Sequence, residues 1–418
     1  MSSYSKRIFV IFLVVFIDLL GFGIVIPLLP VFSQNQLHMH ETTIGLVTGI
    51  FSLMQFVFTP IWGRLSDIYG RKPIIIFSLG GNVISNFVLA LVFSGVLKSI
   101  TLLFLARAMA GFFSANIGAA MAYISDITSE KDRSKGMGII GASFGLGFIF
   151  GPFIGGVLAQ RFGFGTPIFL SSLLSFIALT LAIIILEESL PEQLRKKAAR
   201  FKISIRSGTS KLMQALKHPH VGFLILLYFI ITFSFSNIFS TLQIFAEREK
   251  GFHYNIEQIS YLFAYMGTIG VIVQGVLIRP LTKYFDEKKL LIAGNFIMAI
   301  GLGAIPYSQQ SLPFLLISLL FLGFGNGLNQ PITLSLVSKF TSPDEQGGIL
   351  GINQSLASLA RFLGPSWGGL VYERIGFPAP FLTGGSFMVL ATILSFKLLH
   401  SKFNLKKTVS EIAESDPK

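Results

Sequence analysis

Long apolar stretches separated by short polar intervals run through the chain from its first residues to its last. A helix crosses the hydrocarbon core of a bilayer with about 20 mostly apolar residues. Twelve stretches meet this length, near residues 8–32, 43–62, 74–96, 99–123, 136–159, 166–186, 219–246, 257–278, 289–307, 312–338, 347–372 and 377–400. The pattern therefore predicts an all-α integral membrane protein with twelve transmembrane helices.

The composition supports this interpretation and narrows the possible partners. The 418 residues are 52% hydrophobic and 13% charged, whereas soluble domains have about 25% charged residues. The formal charge of +13 comes from Lys and Arg in the polar intervals, where membrane orientation and lipid contact explain it better than nucleic acid binding. The absence of Cys excludes a disulfide framework, a thiolate metal site and a Cys nucleophile. We predict lipid as a partner, a monomer, and no metal or cofactor.

Basic residues in the intervals predict the orientation. Arg107 and Arg361 lie within apolar stretches, and the other basic residues divide unequally between the two sides. One side holds only Lys98, Arg161, Arg248, Lys250 and Arg374, and the side with both termini holds all the rest. By the positive-inside rule, both termini are predicted to be cytoplasmic.

The chain contains an internal repeat. The sequence Gly-Pro-Phe-Ile-Gly-Gly at 151–156 recurs as Gly-Pro-Ser-Trp-Gly-Gly at 364–369, an offset of 213. Duplicated six-helix halves are a known plan of transporters, with the solute site between the halves. We therefore predict two pseudo-symmetric six-helix bundles at 1–186 and 218–400. A basic cytoplasmic linker at 187–217 would join them, and 401–418 would form a cytoplasmic tail.

Asp18 is the only acidic residue deep inside an apolar stretch. A charged side chain near the bilayer centre costs at least ~2.5–3.5 kcal/mol on insertion scales, so it usually faces a cavity or a partner. The stretch around it continues as Leu-Leu-Gly-Phe-Gly-Ile-Val-Ile-Pro-Leu-Leu-Pro, ending at Pro30. We predict Asp18 as the residue that binds and releases protons.

A second motif lies in the interval between the second and third stretches. The sequence Gly-Arg-Leu-Ser-Asp-Ile-Tyr-Gly-Arg-Lys-Pro spans 63–73, and its glycines permit a tight turn. Asp67 could satisfy a helix N-terminus or pair with Arg71. A basic loop that merely obeys the positive-inside rule would explain Arg71 and Lys72, but it would not explain the spacing. The predicted cytoplasmic gate consists of Gly63, Leu65, Asp67, Gly70, Arg71 and Lys72.

Small residues recur every fourth position in the fifth and eleventh stretches. They are Gly147, Gly151 and Gly155 in the fifth stretch, and Ala360, Gly364 and Gly368 in the eleventh. Small residues allow close helix packing, and Pro152 and Pro365 permit bending. The stripes could be static packing, but their presence in both halves favours a seam along which the bundles rock. The predicted hinge residues are Gly145, Gly151, Pro152, Gly155, Gly156, Gly364 and Pro365.

Other polar residues inside apolar stretches are candidates for the cavity. Arg107 shares a helix face with Gly111, so we expect it to point toward protein. Arg107 could pair with Asp18, or it could only shape the electrostatic field around that carboxylate. Alternatively, Arg107 could be a structural anchor near the end of its span. Gln55, Asn116, Asn237, Gln243, Asn326, Asn329, Gln330 and Asn353 are candidate solute-binding residues, although each could instead be a bond between helices.

These motifs together resemble the major facilitator superfamily over the whole chain. The 63–73 loop, the Asp18–Pro30 stretch, Arg107 with Gly111, and the Gly145–Gly156 pattern resemble the twelve-span drug:proton antiporters, including tetracycline exporters. The resemblance implies the major facilitator fold and proton-coupled drug efflux. One departure is Ser85, which stands where tetracycline exporters generally carry an acid; it argues against tetracycline as the solute.

The sequence therefore predicts a proton-coupled exporter of a small amphipathic compound, working by alternating access in the bacterial inner membrane. Export of an endogenous metabolite or siderophore-like solute is an alternative on the same scaffold. A receptor that has lost transport is another, and the intact motifs argue against it. An enzyme is disfavoured because the apolar stretches contain no His away from their ends and no paired carboxylates, and because the chain has no phosphate-binding loop of the Gly-x-x-x-x-Gly-Lys type.

Overall fold

The computed structural model describes residues 3–128, 130–199, 216, 218, 220–248, 251–308, 310–341 and 346–399. Within these ranges the chain forms helices α1 (Ser3–Leu37), α2 (Glu41–Tyr69), α3 (Arg71–Phe93), α4 (Ile100–Phe113), α5 (Ile117–Ile127), α6 (Glu130–Phe162), α7 (Gly165–Ile185), α8 (Glu192–Ala199), α9 (Val221–Ser236), α10 (Ile238–Glu247), α11 (Ile256–Ile272), α12 (Ile278–Tyr284), α13 (Glu287–Ala304), α14 (Leu312–Lys339), α15 (Gln346–Arg374) and α16 (Ala379–Ser395). Most of the predicted linker and the whole predicted tail lie outside the described residues.

Eleven helical segments in the described part of the chain are long and apolar enough to cross a membrane. The twelfth crossing is α15, a helix of 29 residues whose interior carries Asn353, Gln354, Ser358 and Arg361. These polar side chains lower its hydropathy without shortening it. The prediction of twelve membrane helices in two bundles is confirmed.

Within the residues that the structure describes, three of the predicted crossings are interrupted. A 3-10 turn at Ser114–Asn116 separates α4 from α5, Asn237 separates α9 from α10, and a π-helical segment at Val273–Leu277 separates α11 from α12. Ser and Asn side chains compete for backbone hydrogen bonds, which disfavours a regular helix. The first two interruptions place polar side chains in the protein interior.

The buried apolar residues show where the two halves meet. We call the side where α1 begins the terminal side and the side where α1 ends the opposite side. One apolar cluster combines residues of both halves, including the apolar residues within 24–32 of α1 and within 238–246, which is nearly all of α10. A second cluster belongs to the first half alone and contains Val10–Leu19 of α1. The halves thus share a core on the opposite side.

The seam between α2 and α15 is closed at one end only. Near the opposite side, a methyl group on Gly45 would overlap the carbonyl oxygen of Pro365, and one on Gly369 would likewise overlap the α2 backbone. Gly63 of α2 lies eighteen residues after Gly45, and Gly351 of α15 lies eighteen residues before Gly369. Eighteen residues are five helical turns, so each glycine lies on the same face of its helix, nearer the terminal side. A methyl group on either would have no described atom within 4 Å. The two helices therefore diverge toward the terminal side, and the structure is closed on the opposite side.

Candidate transport site

Asp18 lies in the middle of α1 within a network of amide and hydroxyl groups, and its side chain is buried. Its Oδ1 accepts a hydrogen bond of 2.8 Å from Nδ2 of Asn82 on α3. The side-chain oxygen of Asn82 accepts a bond of 3.2 Å from the Ser114 hydroxyl, and the Ser114 carbonyl accepts one of 3.3 Å from Nε2 of Gln55 on α2. The network connects four segments of the first bundle and fixes the carboxylate in place.

The interruption between α4 and α5 brings a second amide to the carboxylate. Asn116 ends the 3-10 turn and lies beside Asp18. Neither Nδ2 of Asn116 nor Oδ2 of Asp18 has a conventional hydrogen-bond partner among the described residues, and both atoms are buried. An unpaired buried polar atom is unfavourable. Oδ2 can therefore accept a proton or a cationic group at this position.

Arg107 is buried in α4, with 3% of its surface exposed. Its guanidinium carbon lies 4.9 Å from the centre of the Phe51 ring, a cation–π contact. Its Nε has no hydrogen-bond partner among the described residues. Within the described ranges Arg107 makes no ion pair with Asp18, so their direct pairing is not realised in this conformation. Its influence on the field around Asp18 stays a prediction.

Four phenylalanine rings meet where the two bundles touch, and we call them the aromatic cluster. They are Phe22 of α1, Phe51 of α2, Phe148 of α6 and Phe239 of α10. Phe22 lies 5.0 Å from Phe51, 6.0 Å from Phe148 and 6.3 Å from Phe239, measured between ring centres. The cluster borders Arg107 and provides an apolar surface shared by both halves.

The predicted gate residues form an ion-pair network within the first bundle. Arg71 begins α3, and its Nη1 lies 2.6 Å from Oδ1 of Asp67, one of the two arrangements expected from the sequence. The same nitrogen donates to the Ser66 hydroxyl, while Nε of Arg71 lies 3.3 Å from Oδ2 of Asp126 at the end of α5. Gly70 joins α2 to α3 at a φ of 106°, a conformation that favours glycine. Gly63 and Leu65 lie in the last turns of α2.

The first residues after α7 complete this network. The carboxylate of Glu188 accepts hydrogen bonds from the backbone nitrogens of Arg71 and Lys72 at 2.9 and 3.2 Å. An acidic group at a helix N-terminus satisfies unpaired N–H groups and the helix dipole. Glu188 thus caps α3, and Ser189 donates to Asp126. The sequence reasoning missed this contribution because Glu188 is 117 positions from Arg71 along the chain.

The predicted hinge residues of α6 divide between two partners. Gly151 packs on α1, where an added methyl carbon would lie 2.7 Å from Cα of Gly23. Gly155 has a similar contact with the backbone at Ile24. By contrast, Gly156 faces the other bundle and approaches α11 near Ser260. The every-fourth stripe therefore packs within its own half, and neighbouring residues contact the seam.

The second half repeats this division. An added methyl carbon on Gly364 would lie 2.7 Å from the carbonyl oxygen of Phe233 on α9, and Gly368 packs on Asn237. Pro365 faces α2 of the other half. We expected the small-residue stripes themselves to form the rocking seam. This is wrong for the glycines that recur every fourth residue, because they pack on α1 and α9 within their own halves. Gly145, Gly156 and Pro365 do lie at the seam.

Several candidate solute-binding amides instead bond one helix to another. Asn237 donates to the Pro380 carbonyl at 2.5 Å, and Gln243 donates across the halves to the Ile26 carbonyl at 2.9 Å. Asn329 is buried against Gly294 of α13. Gln330 is half-buried on α14. Asn353 is buried in α15, and neither of its side-chain polar atoms has a partner among the described residues.

With this geometry established, comparisons with known proteins identify the family. The family model described as Major Facilitator Superfamily matches residues 11–284 and 275–414. The chain belongs to the major facilitator superfamily. Multidrug resistance protein 2 of Bacillus subtilis (strain 168) is 29% identical over 391 residues, covering 92% of this chain and 93% of that protein.

Two further similarities extend over nearly the whole chain. Tetracycline resistance protein, class H, of Pasteurella multocida is 27% identical over 421 residues, covering 99% of this chain and all of that protein. The crystal structure of the human organic anion transporter MFSD10 (TETRAN) has a TM-score of 0.72 at 25% identity, covering 94% of this chain and 100% of that one. The chain is thus a transporter of the superfamily that carries small molecules, and it is not an enzyme.

Proposed function

We propose that the chain is a secondary active transporter that exports a small amphipathic compound in exchange for protons. The observation that carries this proposal is the buried carboxylate of Asp18, whose Oδ2 is unpaired among the described residues. Alternating access requires one bistable motion that exposes a central site to each side in turn. Proton release from Asp18 would favour the state that binds the solute, and proton binding would favour its discharge.

The asymmetry of the seam is consistent with this cycle. The seam between α2 and α15 is closed on the opposite side and diverges toward the terminal side. If the termini are cytoplasmic, as the positive-inside rule predicts, this conformation faces the cytoplasm. A solute to be exported would enter the site in this state. We place the protein in the bacterial inner membrane with the basic loops inside.

The names of the relatives support efflux without fixing the solute. Multidrug resistance, tetracycline resistance and organic anion transport all occur among them. Ser85 lies one turn from Asn82 on α3 and donates to its carbonyl, so the acid generally found in tetracycline exporters is replaced by a hydroxyl. This replacement favours a solute other than tetracycline.

The test is transport by purified protein in proteoliposomes with an imposed pH gradient and a panel of amphipathic dyes that includes rhodamine 123 and rhodamine 110. The wild type should accumulate at least one dye against its gradient, and a protonophore should abolish the accumulation. Asp18→Asn should lose accumulation driven by the pH gradient, because it removes the proton site but keeps the shape. Glu192→Gln, which alters an exposed carboxylate on α8, is the matched control and should transport normally.

Three outcomes would contradict the proposal. If Asp18→Asn still builds a dye gradient from a pH gradient, Asp18 is not the coupling site. If the wild type moves none of a broad dye panel, the receptor alternative gains support. Transport that ignores the protonophore would exclude proton coupling.

A further inference from the structure

Arg361 is a cation at the midpoint of a membrane helix. It lies fifteen residues from the first residue of α15 and thirteen from the last, which is about 20 Å from either end at 1.5 Å per residue. A guanidinium near the end of a crossing can extend to the lipid headgroups, but a side chain this deep cannot. Its charge must be compensated inside the protein or by something that enters it.

The described surroundings of Arg361 provide little compensation. Its Nη2 donates a hydrogen bond of 2.9 Å to the Ser358 hydroxyl one turn away. Within the described ranges it forms no ion pair, and the titratable side chain that acts on it is the phenol of Tyr228 on α9. A guanidinium has five N–H donors, so most of its donors remain available to a ligand. The side chain is only half-buried.

The charge balance of the membrane interior is positive. Asp18, Arg107 and Arg361 are the charged residues at least seven positions from both ends of their crossing in the described part of the chain. Two are cationic and one is acidic. Removing a charge from water without a partner costs several kcal/mol, so an acidic ligand group would remove an existing penalty.

Arg361 lies next to a contact between the two bundles. Its neighbour Phe362 contacts α2, because an added methyl carbon on Gly49 would lie 2.6 Å from the Phe362 carbonyl oxygen. Two residues further along α2, Phe51 contacts Arg107 and belongs to the aromatic cluster. Helical side chains incline toward the N-terminus of their helix, which for α15 is the open, terminal side. Arg107 and the immediate neighbour of Arg361 thus contact the same segment of α2.

We propose that Arg361 forms an anion subsite in the second bundle, which binds the carboxylate or a comparable acidic group of the transported solute. This inference rests on the proposed function only in taking the solute to bind between the bundles. The Tyr228 hydroxyl can donate to the same acidic group, and the aromatic cluster supplies a surface for an aromatic body. Preferred solutes therefore combine an apolar aromatic scaffold with one negative group.

This arrangement separates the solute's acidic group from the proton. The anion subsite lies on α15, and the proton site lies on α1 in the other bundle. An ionised Asp18 disfavours a purely anionic solute in the same cavity. A solute whose second charged group is cationic avoids this conflict, because its cation can compete with the proton at Oδ2 of Asp18. Zwitterions with a free carboxylate fit both groups.

Rhodamine 110 and rhodamine 123 test the inference because they differ in one group. The first has a free carboxylate, and the second is its methyl ester. Equilibrium binding to detergent-solubilised protein, measured by fluorescence anisotropy, should favour rhodamine 110 in the wild type. Arg361→Gln should weaken rhodamine 110 binding roughly tenfold or more, since a bond between charged groups is lost. Rhodamine 123 binding should change little.

Two further variants separate a ligand contact from a structural role. Arg361→Lys should restore part of the preference, because it keeps the charge but not the fork of donors. Arg374→Gln alters an exposed cation at the end of the same helix and should leave both affinities unchanged. Thermal unfolding of each variant checks folding. If Arg361 had a merely structural role, Arg361→Gln would weaken the binding of both dyes equally.

The inference is overturned if the wild type binds the ester as tightly as the acid, if Arg361→Gln leaves the preference intact, or if neither dye binds. Binding at equilibrium needs no gradient and no proton coupling. A protein that binds rhodamine 110 through Arg361 but fails the proteoliposome test would therefore contradict the proposed function alone. Proton-driven export of the ester only, with no effect of Arg361→Gln on binding, would contradict the subsite alone.

Discussion

The two bundles share a packing plan, and their polar chemistry differs. In the first bundle Gly151 packs on Gly23 of α1, and in the second Gly364 packs near Ser236 of α9. Both pairs are related by the same offset of 213 residues. The close contact between a glycine of the fifth or eleventh crossing and the first helix of its own bundle is therefore duplicated.

The same offset gives opposite chemistry at Asp18 and Arg361, the two charged positions for which roles are proposed above. Ile231 stands in the second half where Asp18 stands in the first, and Phe148 stands in the first half where Arg361 stands in the second. Ile231 is fully buried, and Phe148 belongs to the aromatic cluster. Under the proposed alternating access, the duplicated contacts would let both bundles move as similar rigid bodies, and each bundle would present a different charge to the solute.

The largest expected effect follows from breaking the duplicated contact. Gly151→Ala would place its methyl carbon 2.7 Å from Cα and 2.8 Å from the carbonyl carbon of Gly23. Backbone atoms cannot rotate away, and overpacking of this kind costs about 1–3 kcal/mol. We expect a lower unfolding temperature and a severe loss of transport. Gly364→Ala should act in the same direction, because Phe233 opposes it with a backbone oxygen at 2.7 Å.

Gly118→Ala is the control for both substitutions. A methyl group on Gly118 has no described contact within 4 Å, so the unfolding temperature and transport should stay close to those of the wild type. Unfolding of the purified variants can be followed by intrinsic fluorescence on heating. Wild-type stability and transport in Gly151→Ala would show that the close contact between α1 and α6 is unimportant.

An intermediate effect is expected where the bundles cap their third helix differently. In the second bundle Asp286 caps α13 locally, accepting a bond of 2.7 Å from the Lys288 nitrogen. In the first bundle the cap of α3 is Glu188, from the segment after α7. Losing either cap should cost about 0.5–2 kcal/mol. We expect Glu188→Ala also to slow transport, because it frees the Arg71 network from that segment.

Asp286→Ala is the matched variant for this comparison. It should lower the unfolding temperature to a similar degree, with a smaller effect on the transport rate. Initial rates of dye transport in proteoliposomes, at equal protein density, measure the difference. Equal slowing by both variants would mean that Glu188 acts as an ordinary helix cap.

The sequence allowed much of this architecture to be predicted, because its signals are local. Hydropathy predicts the crossings, and the depth of Asp18 is visible from its own stretch. The hydrogen-bond partners of Asp18 are harder to predict from the sequence, because Asn82 is 64 positions away along the chain and is one of several intramembrane amides. The aromatic cluster could not be picked out among 43 phenylalanines.

For a related reason, the sequence alone does not show which of the candidate amides could bind a solute. Asn237 and Gln243 are as polar as Asn82, but they bond backbone carbonyls of neighbouring helices. Which amide faces a cavity depends on the rotation of each helix and on the breaks at Ser114–Asn116 and Asn237. A short sequence pattern does not fix either of these.

The smallest expected effect concerns a contact that joins the two bundles at the closed end of the seam. Glu373, at the end of α15, accepts a hydrogen bond of 3.0 Å from the backbone nitrogen of Thr42 at the start of α2. Hydrogen bonds from Thr42 hold the pKa of Glu373 below its usual value. The ionised carboxylate therefore stabilises the closed seam at neutral pH. This stabilisation is lost as the pH falls from the usual value of about 4.3 through the lowered pKa.

Spin labels on Lys98→Cys in the first bundle and Gln310→Cys in the second can report this change, since the chain has no native Cys. At pH 7, adding Glu373→Gln should shift the distance distribution slightly toward separation of the bundles on the opposite side. Below the lowered pKa the two proteins should become alike, because protonation removes the same charge. Glu257→Gln, an acidic residue on the same side at the start of α11, should show no such shift at pH 7. Identical distributions for wild type and Glu373→Gln at neutral pH would mean that this contact does not hold the seam, and that the glycine contacts of α2 and α15 and the shared apolar core keep it closed.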